Sequence, residues 1–182
     1  VRAINEIVAP RSTSPTRLLP SSTIYSVVKR TFDIVVSVLV LVGLSPLLLF
    51  VAIWSLIDGG LPIFFGHVRQ SRDGRPFTCW KFRTMRRDAE SLVEKMKQEN
   101  EADGPQVFIR DGPRVTSFGR ILRRLQIDEL PQFWNVMRGE MSVVGPRPHS
   151  ISHNEQYRKE VRRYMVRHKV KPGVTGWAQV NG

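Results

Sequence analysis

The first 28 residues place Pro10, Pro15 and Pro20 among Ser, Thr and Arg, with too few regularly spaced apolar positions to bury a face, which predicts a flexible lead-in. It is not read as a secretory signal, because the apolar run comes too late and no small-residue cleavage site follows it closely. From Ile34 to Ile57 no charged residue occurs over 24 positions. As one helix this stretch would reach about 36 Å, enough to cross a hydrocarbon core of about 30 Å. Ser45-Pro46 interrupts it near the middle, where proline removes a backbone donor and disfavours helix at the residue before it. Each half would then extend roughly 17 Å and enter a bilayer without spanning it. Both flanks are basic, with Lys29 and Arg30 before the run and His67, Arg69, Arg72 and Arg75 after it, so the positive-inside rule selects no direction. A re-entrant anchor over 29–58 with both ends on the cytoplasmic side accounts for that symmetry. An ordinary kinked span is the alternative, since prolines also occur in spanning helices.

Beyond the anchor, 59–182 reads as a helix-rich α+β domain. Phe77 to Met85 is rich in aromatic and β-favouring residues and predicts a strand running into a basic loop. Asp88 to Glu101 sets Leu92, Val93 and Met96 among charges, the pattern of an exposed amphipathic helix ended by Gly104-Pro105. Thr116 to Leu125 and Leu130 to Met137 predict two short helices with Asp128-Glu129 between them, followed by a Gly145-Pro146-Arg147-Pro148 turn. Glu155 to Lys169 carries six Arg and Lys residues around Tyr157, Val161, Tyr164, Met165 and Val166, a basic amphipathic helix suited to an anionic membrane surface.

Charge narrows the partners. Lys and Arg number 28 against 16 Asp and Glu, a net of +12 over 182 residues, so the chain seeks phosphates, acidic lipid or nucleic acid. The lone Cys79 excludes an intramolecular disulfide framework and any cysteine-based metal cluster. A soluble nucleic-acid-binding domain leaves the apolar run unexplained, and the aromatics are not interleaved with Lys and Arg as stacking platforms.

Asp128-Glu129 is the central pair for chemistry. Its bland reading is a helix cap and first-turn acid. Arg120, Arg123 and Arg124 just upstream and Arg147 downstream favour instead a carboxylate facing a phosphate. Such a carboxylate meets like-charge repulsion of about 4 kcal/mol per charge pair at 4 Å and an effective dielectric of 20. Cations must offset it: Mg²⁺ bound by one carboxylate of the pair and the diphosphate, helped by Arg or Lys. Lys81 and Arg83, alternating on one strand face, and Arg147, between two prolines, are the phosphate-binding candidates; each could equally be a solvated surface charge. His149 and His153 share a helix spacing, but nothing nearby completes a zinc motif. Thr175-Gly176-Trp177 reads as a tight turn with a packed aromatic anchor. No phosphate-binding glycine loop and no Asp-x-Asp motif is present.

The segments SPLLL, KFRTM, PRVTSFGRILRRLQIDELPQFWNVMRGEMSVVGPRP and RHKVKPGVTGWAQVNG, in that order, resemble the bacterial sugar transferases, the monotopic polyprenyl-phosphate phosphoglycosyl transferases. The resemblance covers about 28–182, and the tail looks most like the undecaprenyl-phosphate glucose phosphotransferases. It implies a membrane-dipping helix broken at Ser45-Pro46 and a cytosolic catalytic domain on the cytoplasmic face of the bacterial inner membrane. It also implies that Asp128 attacks the β-phosphate of a UDP-sugar, releases UMP and holds the sugar phosphate covalently, after which undecaprenyl phosphate takes it. Glu129 matches the partner acid, as a base for the acceptor or a helper in metal and charge placement, and Lys81, Arg83, Arg123 and Arg147 match basic positions of the family's motifs. Mg²⁺ is the implied cofactor; anionic lipid is an expected partner, nucleic acid is not, and a homodimer is left open. The chain departs from the family pattern at Gln126-Ile127 and by an extra glycine in Asp111-Gly112-Pro113-Arg114. Family members continue past the tryptophan–glycine region, so a C-terminally truncated domain is expected. The competing reading is a membrane-tethered basic binding module without catalysis.

Overall fold

The computed structural model describes residues 23–87, 89 and 114–181. The expected helix over Asp88 to Glu101, most of the lead-in and the Asp111-Gly112-Pro113 motif lie outside the described residues.

Helix α1 (Thr23–Gly43) and helix α2 (Ser45–Gly59) meet at an angle of 61°. The break has a local cause. Pro46 has no N–H to give to the Val42 carbonyl, and the Ser45 hydroxyl donates to that oxygen instead at 2.7 Å. Leu44 between them leaves helical geometry at φ −95°, ψ 9°, and α2 restarts with proline in its first turn. No single described helix is long and apolar enough to cross a membrane, whereas the bent pair meets that condition together. The helix begins at Thr23, so residues 23–28, assigned to the lead-in from composition, belong to α1. Their apolar Ile24, Val27 and Val28 are exposed and extend the apolar helix surface instead of a core, which is why no buried face could be read there.

Strands β1 (Phe64–Gln70) and β2 (Pro76–Phe82) form an antiparallel hairpin in which Phe65 faces Lys81 and Arg69 faces Phe77. Its turn uses left-handed backbone at Asp73 (φ 59°) and Gly74 (φ 75°). Then come α3 (Ser117–Arg124), a 3₁₀ turn at Ile127–Glu129 and α4 (Gln132–Arg138), as the spacing predicts. Strand β3 (Ser142–Val144) pairs in parallel with β4 (Gly173–Thr175). Between them lie α5 (Ile151–Glu160) and a 3₁₀ segment at Tyr164–Lys169; α6 (Trp177–Asn181) follows β4. The result is α+β and helix-rich.

Two small cores hold these elements. Phe77, Cys79, Val136, Met141 and Val143 join the hairpin to α4 and β3, and Val51, Phe82 and Leu122 join α2 to β2 and α3. Asn135, wholly buried, locks the first: its Nδ2 donates to the Thr78 carbonyl (2.7 Å) and Glu140 Oε2 (2.6 Å), and its Oδ1 accepts from the Trp80 N–H (3.1 Å). This ties α4 to β2 beside Lys81.

Two expectations need correction. Glu155 to Lys169 is not one amphipathic helix: α5 starts earlier, at Ile151 behind a Ser150 cap, and ends at Glu160, and the chain turns through left-handed Arg163 (φ 64°). The break lets Tyr164 stack on Tyr157 at 5.5 Å, pulling a would-be surface stripe into an aromatic cluster with His149 and His153. Trp177 is no packed anchor either, being 82 % exposed on α6, where no described element covers it.

Candidate active site

The chain leaves α3 through Gln126, a non-glycine residue with φ 56°, and this left-handed kink turns the next residues into the single 3₁₀ turn that carries Asp128 and Glu129. Neither acid caps α4: its N-cap is Pro131, without a side-chain cap bond. The cap half of the bland reading therefore fails, while both acids do lie in the first turn of the 3₁₀ segment.

Glu129 Oε1 accepts from Lys81 Nζ at 2.5 Å and from Arg147 Nη2 at 3.1 Å. Lys81 reaches it because it continues the β2 face that buries Phe77 and Cys79. Arg147 reaches it because the Gly145 loop is pressed onto the Gly173 strand. The Gly145 N–H donates to Thr175 O (2.9 Å) and the Gly173 N–H to Pro146 O (3.0 Å). A Cβ on Gly173 would lie 2.1 Å from the Gly145 nitrogen, so only glycine permits this approach.

The two acids live in opposite electrostatic settings. Burial is the largest influence on Glu129 and pushes its carboxyl up, yet Lys81 and Arg147 together outweigh burial and hold it below the ordinary carboxylate value. Asp128 is 8 % exposed; burial, aided by the neighbouring Glu129 charge, raises its carboxyl against the pull of Lys81 and Arg123. Among the described residues no side chain hydrogen-bonds to Asp128, and its own backbone N–H only slightly opposes the rise. Asp128 is thus the acid whose oxygens remain open.

Both acids line a cleft of about 690 Å³ together with Lys81, Arg83, Arg123 and Arg147. The structure brings Lys81 and Arg147 onto Glu129 and sets Arg123 near Asp128, with its Nε donating to Thr84 Oγ1 at 2.8 Å. Arg83 is different. Its guanidinium donates to the carbonyls of Leu61 and Gly60 at 3.0 Å each and to that of Gly59, so it ties the end of α2 to the cleft and does not face the acids. Arg69 and Gln126 also line this region and escaped the sequence reading. Arg69 counted only as a flanking charge there, and Gln126 has no spacing signal, because its place depends on its left-handed backbone. The cations and one open acid can neutralise a phosphate group and present an oxygen to it.

The family model described as bacterial sugar transferase matches residues 24–182. The chain is 45% identical over 163 residues to a UDP-glucose:undecaprenyl-phosphate glucose-1-phosphate transferase of Escherichia coli (strain K12), covering 90% of this chain and 33% of that protein. It is 42% identical over 164 residues to a UDP-N-acetylgalactosamine-undecaprenyl-phosphate N-acetylgalactosaminephosphotransferase of Aeromonas hydrophila, covering 90% of this chain and 36% of the relative. It is also 38% identical over 184 residues to the exopolysaccharide production protein ExoY of Sinorhizobium fredii, covering 96% of this chain and 80% of the relative. The chain thus spans about a third of the length of the first two.

Proposed function

The chain belongs to the bacterial sugar transferase family, and from that membership we propose that it moves a sugar 1-phosphate from a UDP-sugar to undecaprenyl phosphate, releasing UMP. This would be the first membrane step in making an exopolysaccharide or related glycoconjugate. The observation that carries the proposal is the asymmetry of the acid pair: Glu129 is saturated by two cations, while buried Asp128 keeps its oxygens open on a basic cleft.

In this reading an Asp128 carboxylate oxygen attacks the β-phosphorus of the donor, and the bond from that phosphorus to the bridging oxygen breaks. The bridging oxygen leaves with its electron pair as part of UMP, and the sugar phosphate stays on Asp128 as an acyl phosphate. An oxygen of undecaprenyl phosphate then attacks the same phosphorus, and the bond to Asp128 breaks, restoring the carboxylate. Poor hydration of Asp128 favours its role as nucleophile, and Lys81, Arg123 and Arg147 offset charge on the phosphates. Glu129 acts in charge placement: its two cationic bonds support an acid that stays ionised and holds Lys81 and Arg147 in position, and they disfavour the alternative of a base for the acceptor.

The residues fit Mg²⁺ only with a diphosphate present, since no group of three His, Cys, Asp or Glu residues able to hold a metal occurs among the described residues, and this ion commonly uses one or two carboxylates plus phosphate oxygens. Asp128 would hold it, and its chemistry is neutralisation of diphosphate charge.

The bent helix pair serves as the anchor over 29–58, re-entrant from the cytoplasmic face of the inner membrane, with the catalytic domain over 59–182. Basic residues at both ends and the 61° bend support this placement, and the same basic flanks suit anionic lipid. Glucose is the proposed sugar, by similarity to the relatives named for it.

Intact-protein mass spectrometry tests the covalent step. Incubating the detergent-solubilised full chain with UDP-glucose and Mg²⁺, without acceptor, should add one hexose phosphate to the wild type and none to Asp128→Asn. No adduct on the wild type, together with sugar transfer and UDP as the nucleotide product once undecaprenyl phosphate is added, would overturn the reading.

A further inference from the structure

The wall of the Asp128 cleft continues past Gln126 and Arg147, which line both sides of it, into a second hollow of about 660 Å³ that the proposed chemistry leaves unused. Pro146, His149, Tyr164, Arg167, Ala178 and Gln179 complete its lining, and no carboxylate is among the described residues that form it. The Arg167 guanidinium sits 5.0 Å from the Tyr164 ring centroid, Nη1 donates to the Tyr164 hydroxyl at 2.6 Å, and Nη2 donates to the Arg147 carbonyl. Burial and the adjacent Arg167 push His149 down to about 4, so its ring is neutral near pH 7. The hollow therefore offers a neutral imidazole beside a guanidinium already held by the Tyr164 hydroxyl and the Arg147 carbonyl.

Gln179 stands out in this lining. Both Nε2 and Oε1 are buried, and among the described residues neither has a hydrogen-bond partner. Its position is set by glycine: a Cβ on Gly176 would lie 2.2 Å from the Gly145 carbonyl and 2.8 Å from Gln179 Oε1, so α6 packs directly on the loop that carries Arg147. A buried carboxamide with donor and acceptor both unsatisfied is costly, and native structures keep such groups where something else completes them.

We propose that Gln179 recognises the uracil base of the nucleotide donor, with the uridine end in this hollow and the diphosphate reaching over Arg147 to Lys81 and Asp128. The inference rests on the UDP-sugar reading above and deepens it. Uracil presents an N3–H donor between two carbonyl acceptors, and one carboxamide matches that edge, Oε1 accepting from N3–H and Nε2 donating to O4. Gln179 lines the hollow, so a side-chain rotation on binding would bring its amide to the base, with the neutral His149 ring beside it.

The test compares UMP with ribose 5-phosphate, which lacks the base, as ligands of the detergent-solubilised full chain by titration calorimetry. Their affinity ratio isolates what the base contributes. In Gln179→Leu, UMP binding should weaken by roughly tenfold or more, as for two neutral hydrogen bonds, while ribose 5-phosphate binds as in the wild type. Gln179→Glu keeps the side-chain shape and sets an acceptor against O4, so it should lower the ratio in the same direction. Ratios unchanged from wild type in both variants, or an equal loss for both ligands, would overturn the role of Gln179. Failure of the UDP-sugar reading looks different: the wild type itself would bind UMP no better than ribose 5-phosphate and release no UMP from any UDP-sugar.

Discussion

The helix pair α1–α2 and the body that follows it differ in what they leave exposed and in how they use their buried polar groups. In the body Leu122, Val136 and Met141 are fully enclosed, whereas on the helix pair Leu39, Val42, Leu49 and Ile57 are exposed and Asp33, Ser37 and Ser55 are buried. One face of α1 repeats Lys29, Asp33 and Ser37 at four-residue spacing and points at β3. Asp33 Oδ1 accepts from Lys29 Nζ (2.5 Å), Ser142 Oγ (3.1 Å) and the Val143 N–H (3.0 Å). Arg30 beside it donates to the Val136 and Met137 carbonyls at 2.6 Å each, closing the end of α4. The difference teaches how each region is built: the body encloses its largest apolar side chains, and the helix pair turns its polar bonds toward the body and its apolar residues outward, the arrangement that the proposed anchor role requires.

Variants can break or sharpen this contrast. The largest effect is expected inside the body: Asn135→Ala removes three hydrogen bonds and strands the Trp80 N–H and the Thr78 carbonyl. It should cost about 3 kcal/mol, read as a lowered denaturation midpoint in detergent. Asp33→Ala leaves Lys29, Ser142 and the Val143 N–H without their shared acceptor. Because Lys29 keeps some solvent, about 2 kcal/mol is expected, together with faster proteolysis at the α1–β3 junction. Equal stability in this variant would mean that the helix pair is not pinned to the body by its inward polar face.

The acid pair gives a smaller effect with a worked sign. Asp128 has a raised folded-state value, so its ionised form destabilises the fold above that value, and the penalty disappears as pH falls below the ordinary carboxylate range. Asp128→Asn should therefore be slightly more stable than wild type at pH 7 and equal to it near pH 3. Glu129 is depressed, so its contribution is present above the ordinary range and lost as pH falls through the folded value. Glu129→Gln should be less stable than wild type at pH 7, with the gap closing in acid. Thermal melts across that window check both, and two curves of the same sign would contradict the assigned asymmetry. The smallest effect is at the exposed helix surface: Val42→Ser should change stability by under about 0.5 kcal/mol yet reduce the share of protein recovered with membranes.

Legibility in the sequence followed the range of the interaction. The helix break was readable because Ser45-Pro46 acts on its own turn, and the acid pair because it sits between two short periodic segments. Long-range geometry was not readable. Arg83 alternates with Lys81 as expected, but its guanidinium is taken by the carbonyls ending α2, a contact 22 to 24 residues back. The left-handed backbone at Gln126 and Arg163 carries no residue signature, since neither is glycine or asparagine, so the aim of Asp128 and the break after α5 could not be foreseen. Gln179 was hidden for the same reason: its unpaired amide exists only once Gly145 and Gly176 bring two distant segments together.

The most direct test of the central claim is identification of the nucleotide released when the detergent-solubilised full chain meets UDP-glucose, undecaprenyl phosphate and Mg²⁺, wild type beside Asp128→Asn. The account predicts UMP from the wild type and none from the variant. Release of UDP, or undiminished UMP from Asp128→Asn, would contradict it.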